Sequence, residues 1–431
     1  MHNRFVRAVR SARPRVYVAA VSGAPQEMRA APWRYVAAMV MILLASSCSG
    51  DGRGVSSPSS PSALGPTWPV ADAAQIAAPP MLPTQPDGPT VEVPSKIDHS
   101  CGSDVTAALQ SFLTRAADNS TVAFAKDGCY RVDTTLTIDK HHRLDIEGNG
   151  ATLRAGTVGD RDRRHLVVSS SDDIIIRDLV VSGSNDRAGA TADAYDPNLA
   201  FQHAFVLNGV HRVLLEHVAA GQLHGDFVYV GGNNGSPSSD VTVARSTFDG
   251  SGRQGISITD ADRVLVVDND IANAARSLID LEPNTANQEA RNVRISGNRT
   301  GAAVNFWLAN KGAGDNIGPV EIDGNTMKQS TGGLLFAFGK AAPGRGPWTV
   351  RGNQLIANNA VHDEGSVGAF FLVNCHDVSI TGNQVTFPPG GVMPAIELRA
   401  SKDIHIAGND FTGASQEIMA DADTKGVSTS S

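Results

Sequence analysis

The chain has 431 residues, enough for one extended repeat domain or for two or three ordinary domains. Its 43 Gly and 22 Pro, with only 19% charged and 5% aromatic residues, favour β structure with many turns over a set of solvent-covered helices. A formal net charge of -8 excludes any global attraction to polyanions, so no nucleic-acid partner is expected.

Residues 1–48 place Arg34 ahead of an apolar run, Tyr35 to Leu44, followed by small residues and Cys48. The run is short for a membrane span and has the charged, apolar, small order of an export signal. Leu44-Ala45-Ser46-Ser47-Cys48 resembles the lipobox of bacterial lipoproteins, with Ala45 where that family prefers Leu. The resemblance implies diacylation of Cys48, a lipid anchor on the outer surface of the cell membrane, and removal of everything before it. An ordinary cleaved signal and a secreted protein is the alternative. Met28 offers a second start, because Met28 to Arg34 makes a compact charged segment. Residues 49–95, dense in Ser, Pro, Gly and Ala, read as a flexible tether.

Ser103 to Leu113 carries a capping residue followed by an amphipathic helical pattern, and Ser120–Phe124 and Cys129–Val132 read as strands. Cys101 and Cys129 flank this helix–strand segment and form the expected disulfide in an oxidising compartment. Cys375, in an apolar run, reads as a buried, inert thiol.

From about residue 130 one pattern recurs: a β-rich run, a turn, a Val-x-Ile/Val run, then Gly-Asn or an equivalent. Val293-Arg294-Ile295-Ser296-Gly297-Asn298, Val320 to Asn325, Val378 to Asn383 and Ile404 to Asn409 are copies. The anchor Asn residues recur every roughly 26 to 30 residues, the range of solenoid repeats and too short for a four-stranded propeller blade. Alternation turns one side of each short strand inward, and stacked coils align the Asn residues into a ladder. With the helix before them, these repeats resemble the pectate-lyase-like superfamily over most of residues 96–415. That resemblance implies an all-β fold, a right-handed parallel β-helix with an N-terminal capping helix, as one continuous domain. It does not choose an activity, because the superfamily spans lyases, hydrolases, epimerases and adhesins. Residues 416–431 read as a flexible tail.

One strand per coil can be laid side by side: 204–207, 227–230, 255–258, 278–281, 305–308 and 334–337. With Phe205, Val228, Ile256, Ile279 and Phe306 inward, Tyr229, Ser257, Asp280 and Trp307 point outward, and Glu282 falls beyond them. Polar residues collect just before these strands: Gln202 and His203, His224 and Asp226, Arg253 and Gln254, Arg276. Acids, bases and aromatic plates along one face suit a polysaccharide or cell-wall glycan. The candidate catalytic set is His203, His224, Asp226, Arg253, Arg276, Asp280 and Glu282. Gln202, Tyr229, Gln254 and Trp307 are candidate substrate-binding residues. Residue by residue, the bland alternative is that these groups satisfy turn amides and one another.

The paired-Asp and Gly-His-Gly segments of polygalacturonases and the acidic calcium cluster of pectate lyases are absent, which argues against pectin. The spacing of His203, His224 and Asp226 matches no tight zinc motif, so no metal site and no cofactor is predicted, although a divalent cation stays open. The expectation is a monomeric envelope protein, either a polysaccharide lyase, epimerase or glycoside hydrolase, or a non-catalytic glycan-binding or structural lipoprotein.

Overall fold

The computed structural model describes residues 77–430 apart from 313, 315, 340–343 and 359–367. The export signal, Cys48 and most of the expected tether lie outside the described residues. Among the described residues no helix is long and apolar enough to cross a membrane.

Strands come in triplets, such as Asp172–Arg177, Val180–Ser182 and Phe205–Asn208, after which His211–Glu216 opens the next coil. Each strand pairs in parallel with its counterparts one coil before and one coil after, so three faces grow side by side. Parallel pairing in register puts like residues over like. Ile174, Val213, Val241, Val264 and Val293 stack in one inward column of the first face, all fully buried. This is a parallel β-helix, and each coil buries its apolar side chains chiefly against its neighbours.

Each corner has its own chemistry. Between the first and second faces, Asn269, Asn298, Asn325, Asn353, Asn383 and Asn409 form a ladder in which each amide oxygen accepts the backbone N–H and side-chain N–H of the Asn before it. The preceding residue turns the chain through left-handed backbone, as Gly297 does at φ 65°, which is why Gly precedes Asn so often.

At the N-terminal end the helix Thr106–Leu113 buries Leu109 and Leu113 in the common core. Strand Leu136–Asp139 pairs with Leu166–Ser169, and the Gln110 side chain bonds both the N–H and the carbonyl of Thr137. The helix thus covers an edge that would otherwise invite strand addition. It starts two residues later than a Ser103 cap would place it. Asp104 rather than Ser103 binds the first amide, that of Thr106, at 3.0 Å. A disulfide joins Cys101 and Cys129, and Cys375 is buried with its thiol pushed up to about 12 by burial.

Two expected boundaries move. Residues 77–95, read as the end of a flexible tether, are laid on the solenoid, and Thr90–Glu92 forms the first rung of the first face against Thr121–Ala123. The expected flexible tail holds strands Ile418–Ala420 and Lys425–Ser430, the second paired along Lys402–Ala407. Neither segment has apolar alternation. Their order comes from hydrogen-bonding groups offered by the coils beneath, backbone groups along the strands and side-chain oxygens along residues 77–89, which composition does not reveal.

Candidate functional site

The corner between the second and third faces carries the long insertions, among them residues 183–204 with a short 3-10 turn at Ala192–Ala194. The polar residues just before the third-face strands meet here. They form a second ladder of opposite sense: the N–H of Asp226 donates to His203 Nδ1 at 2.8 Å, that of Gln254 to Asp226 Oδ1 at 2.9 Å, and that of Ser277 to Gln254 Oε1 at 2.8 Å.

Asp226 is fully buried, and its Oδ2 accepts Arg253 Nη1 at 2.6 Å and Ser257 Oγ at 2.8 Å. With its oxygens occupied, it is a positioning group for Arg253 rather than a free acid. Gln202 is equally committed, accepting from Arg163 and donating to the carbonyls of Val158 and Asp160. His203 is buried, stacked on Tyr229 with centroids 5.1 Å apart, and burial pushes its pKa down to about 4 despite Asp226. Asp226 and Gln202 spend their polar atoms inside the protein and Nδ1 of His203 accepts the Asp226 amide, so the sequence-predicted roles in catalysis or sugar contact do not fit them directly. Burial of a small polar side chain behind a loop leaves no trace in a two-residue alternation.

Arg253 and Glu282 beside them are more open. Arg253 spans two carboxylates, giving Nη1 to Asp226 and Nη2 to Glu282 at 3.3 Å, with side-chain exposures of 18% for Arg253 and 32% for Glu282. Burial, which alone would loosen its proton, is outweighed by Asp226, Glu282 and Asp280, so the guanidinium is held firmly charged. Asp280 lies beneath and accepts Gln254 Nε2. Burial, reinforced by Glu282, raises its carboxyl well above the usual range. Tyr229 is part-buried, its hydroxyl bonded to Thr259 at 2.9 Å and its pKa raised by burial. Arg276 lies over the ring of Tyr195, its Cζ 5.2 Å from the centroid. His224 is nearly buried, with neither ring nitrogen hydrogen-bonded, and burial lowers its pKa.

Register assigns the outward column of the third face as Val206, Tyr229, Ser257, Asp280, Ala309, Phe336, Phe371 and Glu397. Trp307 is not in it. A register shift between Ala303 and Phe306 turns Trp307 into the core and Phe306 out, which corrects both expectations for that coil. Trp307 and Leu308 both face the core while Phe306 and Ala309 face out, so alternation breaks at this one step and then resumes. Phe306 joins Phe336 and Phe371 in a separate apolar cluster outside the solenoid, with Arg399 stacked on Phe371 at 4.7 Å. Neither this cluster nor Tyr195, which sits in an insertion without periodicity, has a signal in the sequence pattern. No group of three metal-ligating side chains assembles among the described residues.

A family model described as right handed beta helix region matches residues 165–353 and 226–415, more than half of the chain. The chain belongs to this family. No curated protein sequence matches it. Among solved structures, the β-helix is similar to the Streptococcus pneumoniae surface protein and adhesin PfbA, at 13% identity over 77% of this chain and 97% of the other, TM-score 0.53. It is also similar to DFA-IIIase from Arthrobacter chlorophenolicus A6, solved without its lid, at 11% identity over 79% and 93%, TM-score 0.53. Gene product 12 of bacteriophage phi29 gives TM-score 0.59 at 12% identity over 78% of this chain and 49% of the other. At these identities the likeness is one of fold.

Proposed function

We propose that this protein is an exported, carbohydrate-active β-helix of the cell envelope, anchored through Cys48 and acting on a polysaccharide at the corner of its second and third faces. The observation that carries this reading is the pair Asp280 and Glu282. Asp280 is in the strand Ile279–Leu281 and Glu282 just past its end, the first buried with its proton held, the second about a third exposed and braced by Arg253. A buried carboxyl that holds its proton beside a second, partly exposed carboxyl group is the pairing that acid–base chemistry at a glycosidic bond uses. Asp280 is the proton donor, Glu282 the second carboxylate, and Arg253 with Arg276 the cationic side for an acidic sugar. Tyr229, its phenol kept protonated by burial, can donate a hydrogen bond to the sugar. The aromatic cluster along the same outward column extends the face toward Glu397 and Arg399. That an adhesin and DFA-IIIase use the same fold is consistent with either action or binding.

The test is a screen of the full-length protein on acidic and neutral polysaccharides, reading reducing ends and unsaturated-uronate absorbance. On the substrate found, Asp280→Asn and Glu282→Gln should each cost roughly 100-fold or more in kcat, the usual scale for an acid or base. The melting temperature should hold, since Asn copies the neutral carboxyl and Glu282 is partly solvated. Full activity in both variants rejects the site. A second reading, glycan binding without turnover, is favoured by the way Asp226, Gln202 and Gln254 spend their hydrogen bonds inside the protein. It predicts retention on a glycan in the absence of any product.

A further inference from the structure

Residues 77–89, Ala-Ala-Pro-Pro-Met-Leu-Pro-Thr-Gln-Pro-Asp-Gly-Pro, cross the coils of the first face instead of joining one. Every third residue from Ala77 to Pro86 is turned inward: Ala77 and Pro83 are buried, Pro80 and Pro86 half-buried, and the residues between them exposed. Every third amide is also bonded. The N–H groups of Ala78, Met81, Thr84 and Asp87 donate to the side-chain oxygens of Asn292, Asp240, Asp173 and Asn119 at 3.2, 3.0, 2.8 and 3.1 Å.

These acceptors occupy one register column, Asn119, Arg143, Asp173, Arg212, Asp240, Arg263, Asn292, taken coil by coil. All seven have φ between 50° and 58°. Acceptors alternate with arginines. Arg212 grips Asp173 with both Nε and Nη2, at 2.8 and 2.9 Å, and Arg263 grips Asp240 in the same way, at 2.7 and 2.8 Å. The strap therefore advances three residues for every two coils. Two coils rise about 9.6 Å at the parallel-strand spacing. Three residues of polyproline II rise about 9.3 Å. The two repeats match, and three prolines fall where the column presents its arginines.

We propose that this column is a docking groove for a polyproline II segment, with residues 77–89 its resident occupant, clasping seven coils as one unit. The strap also decides where the chain joins the solenoid: Ala77 lies at the coil of Asn292, about 29 Å along the axis from the coil of Asn119. Hydrogen exchange of the full-length protein, resolved by residue, tests the period. The amides of Ala78, Met81, Thr84 and Asp87 should exchange at least about tenfold more slowly than those of Leu82, Gln85 and Gly88. Met81→Pro and Thr84→Pro, which each remove a donor, should release the neighbouring strap amides. Leu82→Pro and Gln85→Pro, which keep all four donors and favour the same backbone, should not. Equal exchange at donor and non-donor positions, or equal effects of all four prolines, overturns the proposal.

Discussion

His165 and His203 must be neutral in the folded protein. Nε2 of His165 accepts Arg163 Nη1 at 3.0 Å, so its Nδ1 carries the proton that bonds the His203 carbonyl; Nδ1 of His203 accepts the Asp226 amide. Burial, aided at His165 by Arg163, pushes the two imidazoles down to about 3 and about 4. At these two sites the unfolded chain binds protons at the ordinary value of 6.5 while the folded chain does not, so their contribution to stability rises with pH across that interval. In denaturant unfolding the contribution of these two imidazoles should fall as pH drops from 6.5 toward 4, against the opposite contribution of Asp145, whose carboxyl burial raises to about 6. His165→Gln, neutral throughout, should flatten the slope relative to wild type, and an unchanged slope would show that this imidazole does not drive it.

At the scale of the element, the two ladders do different work. The Asn ladder satisfies backbone groups at a corner of tight turns, with Asn325 Nδ2 donating to the Ile295 carbonyl and to Asn353 while its Oδ1 receives Asn298. Asn325→Ala should leave several buried groups unpaired and cost about 3 kcal/mol in denaturant unfolding, at one to three per orphaned group. A loss below about 1 kcal/mol would mean water replaces the amide. The His203–Asp226–Gln254 ladder stands at the corner with long insertions, and its side chains are mixed in type because they also carry the charged cluster. Residues that looked like a row of catalysts are, in part, the rungs on which Arg253 and Asp280 are mounted.

Across the whole molecule, one apolar core runs from Val93 to Phe411 without an internal boundary, and both ends of the described chain add rungs or straps to it. The proposed anchor at Cys48 would hold this body through residues 49–76 to a junction beside the coil of Asn292. Wild-type protein should fractionate with membranes and take up an acyl label, and Cys48→Ser should lose both. Clean cleavage elsewhere, with the protein free in the medium, would make it a secreted β-helix instead.

Repeat period, strand alternation and the Gly-Asn corners are local, and parallel stacking copies them from coil to coil, so the β-helix, its Asn ladder, the inward columns through Ile279 and the placement of Asp280 were legible in the sequence. The helix and the Cys101–Cys129 bond were legible too, being short-range. Burial of Asp226 and Gln202 was not, because it depends on insertions folding back over a corner. Trp307 and Phe306 exchanged faces through a single irregularity that alternation cannot register. The proline-rich strap was least visible: its order arises from matching one helical rise to another across coils more than two hundred residues apart in the chain, a relation only the folded solenoid contains.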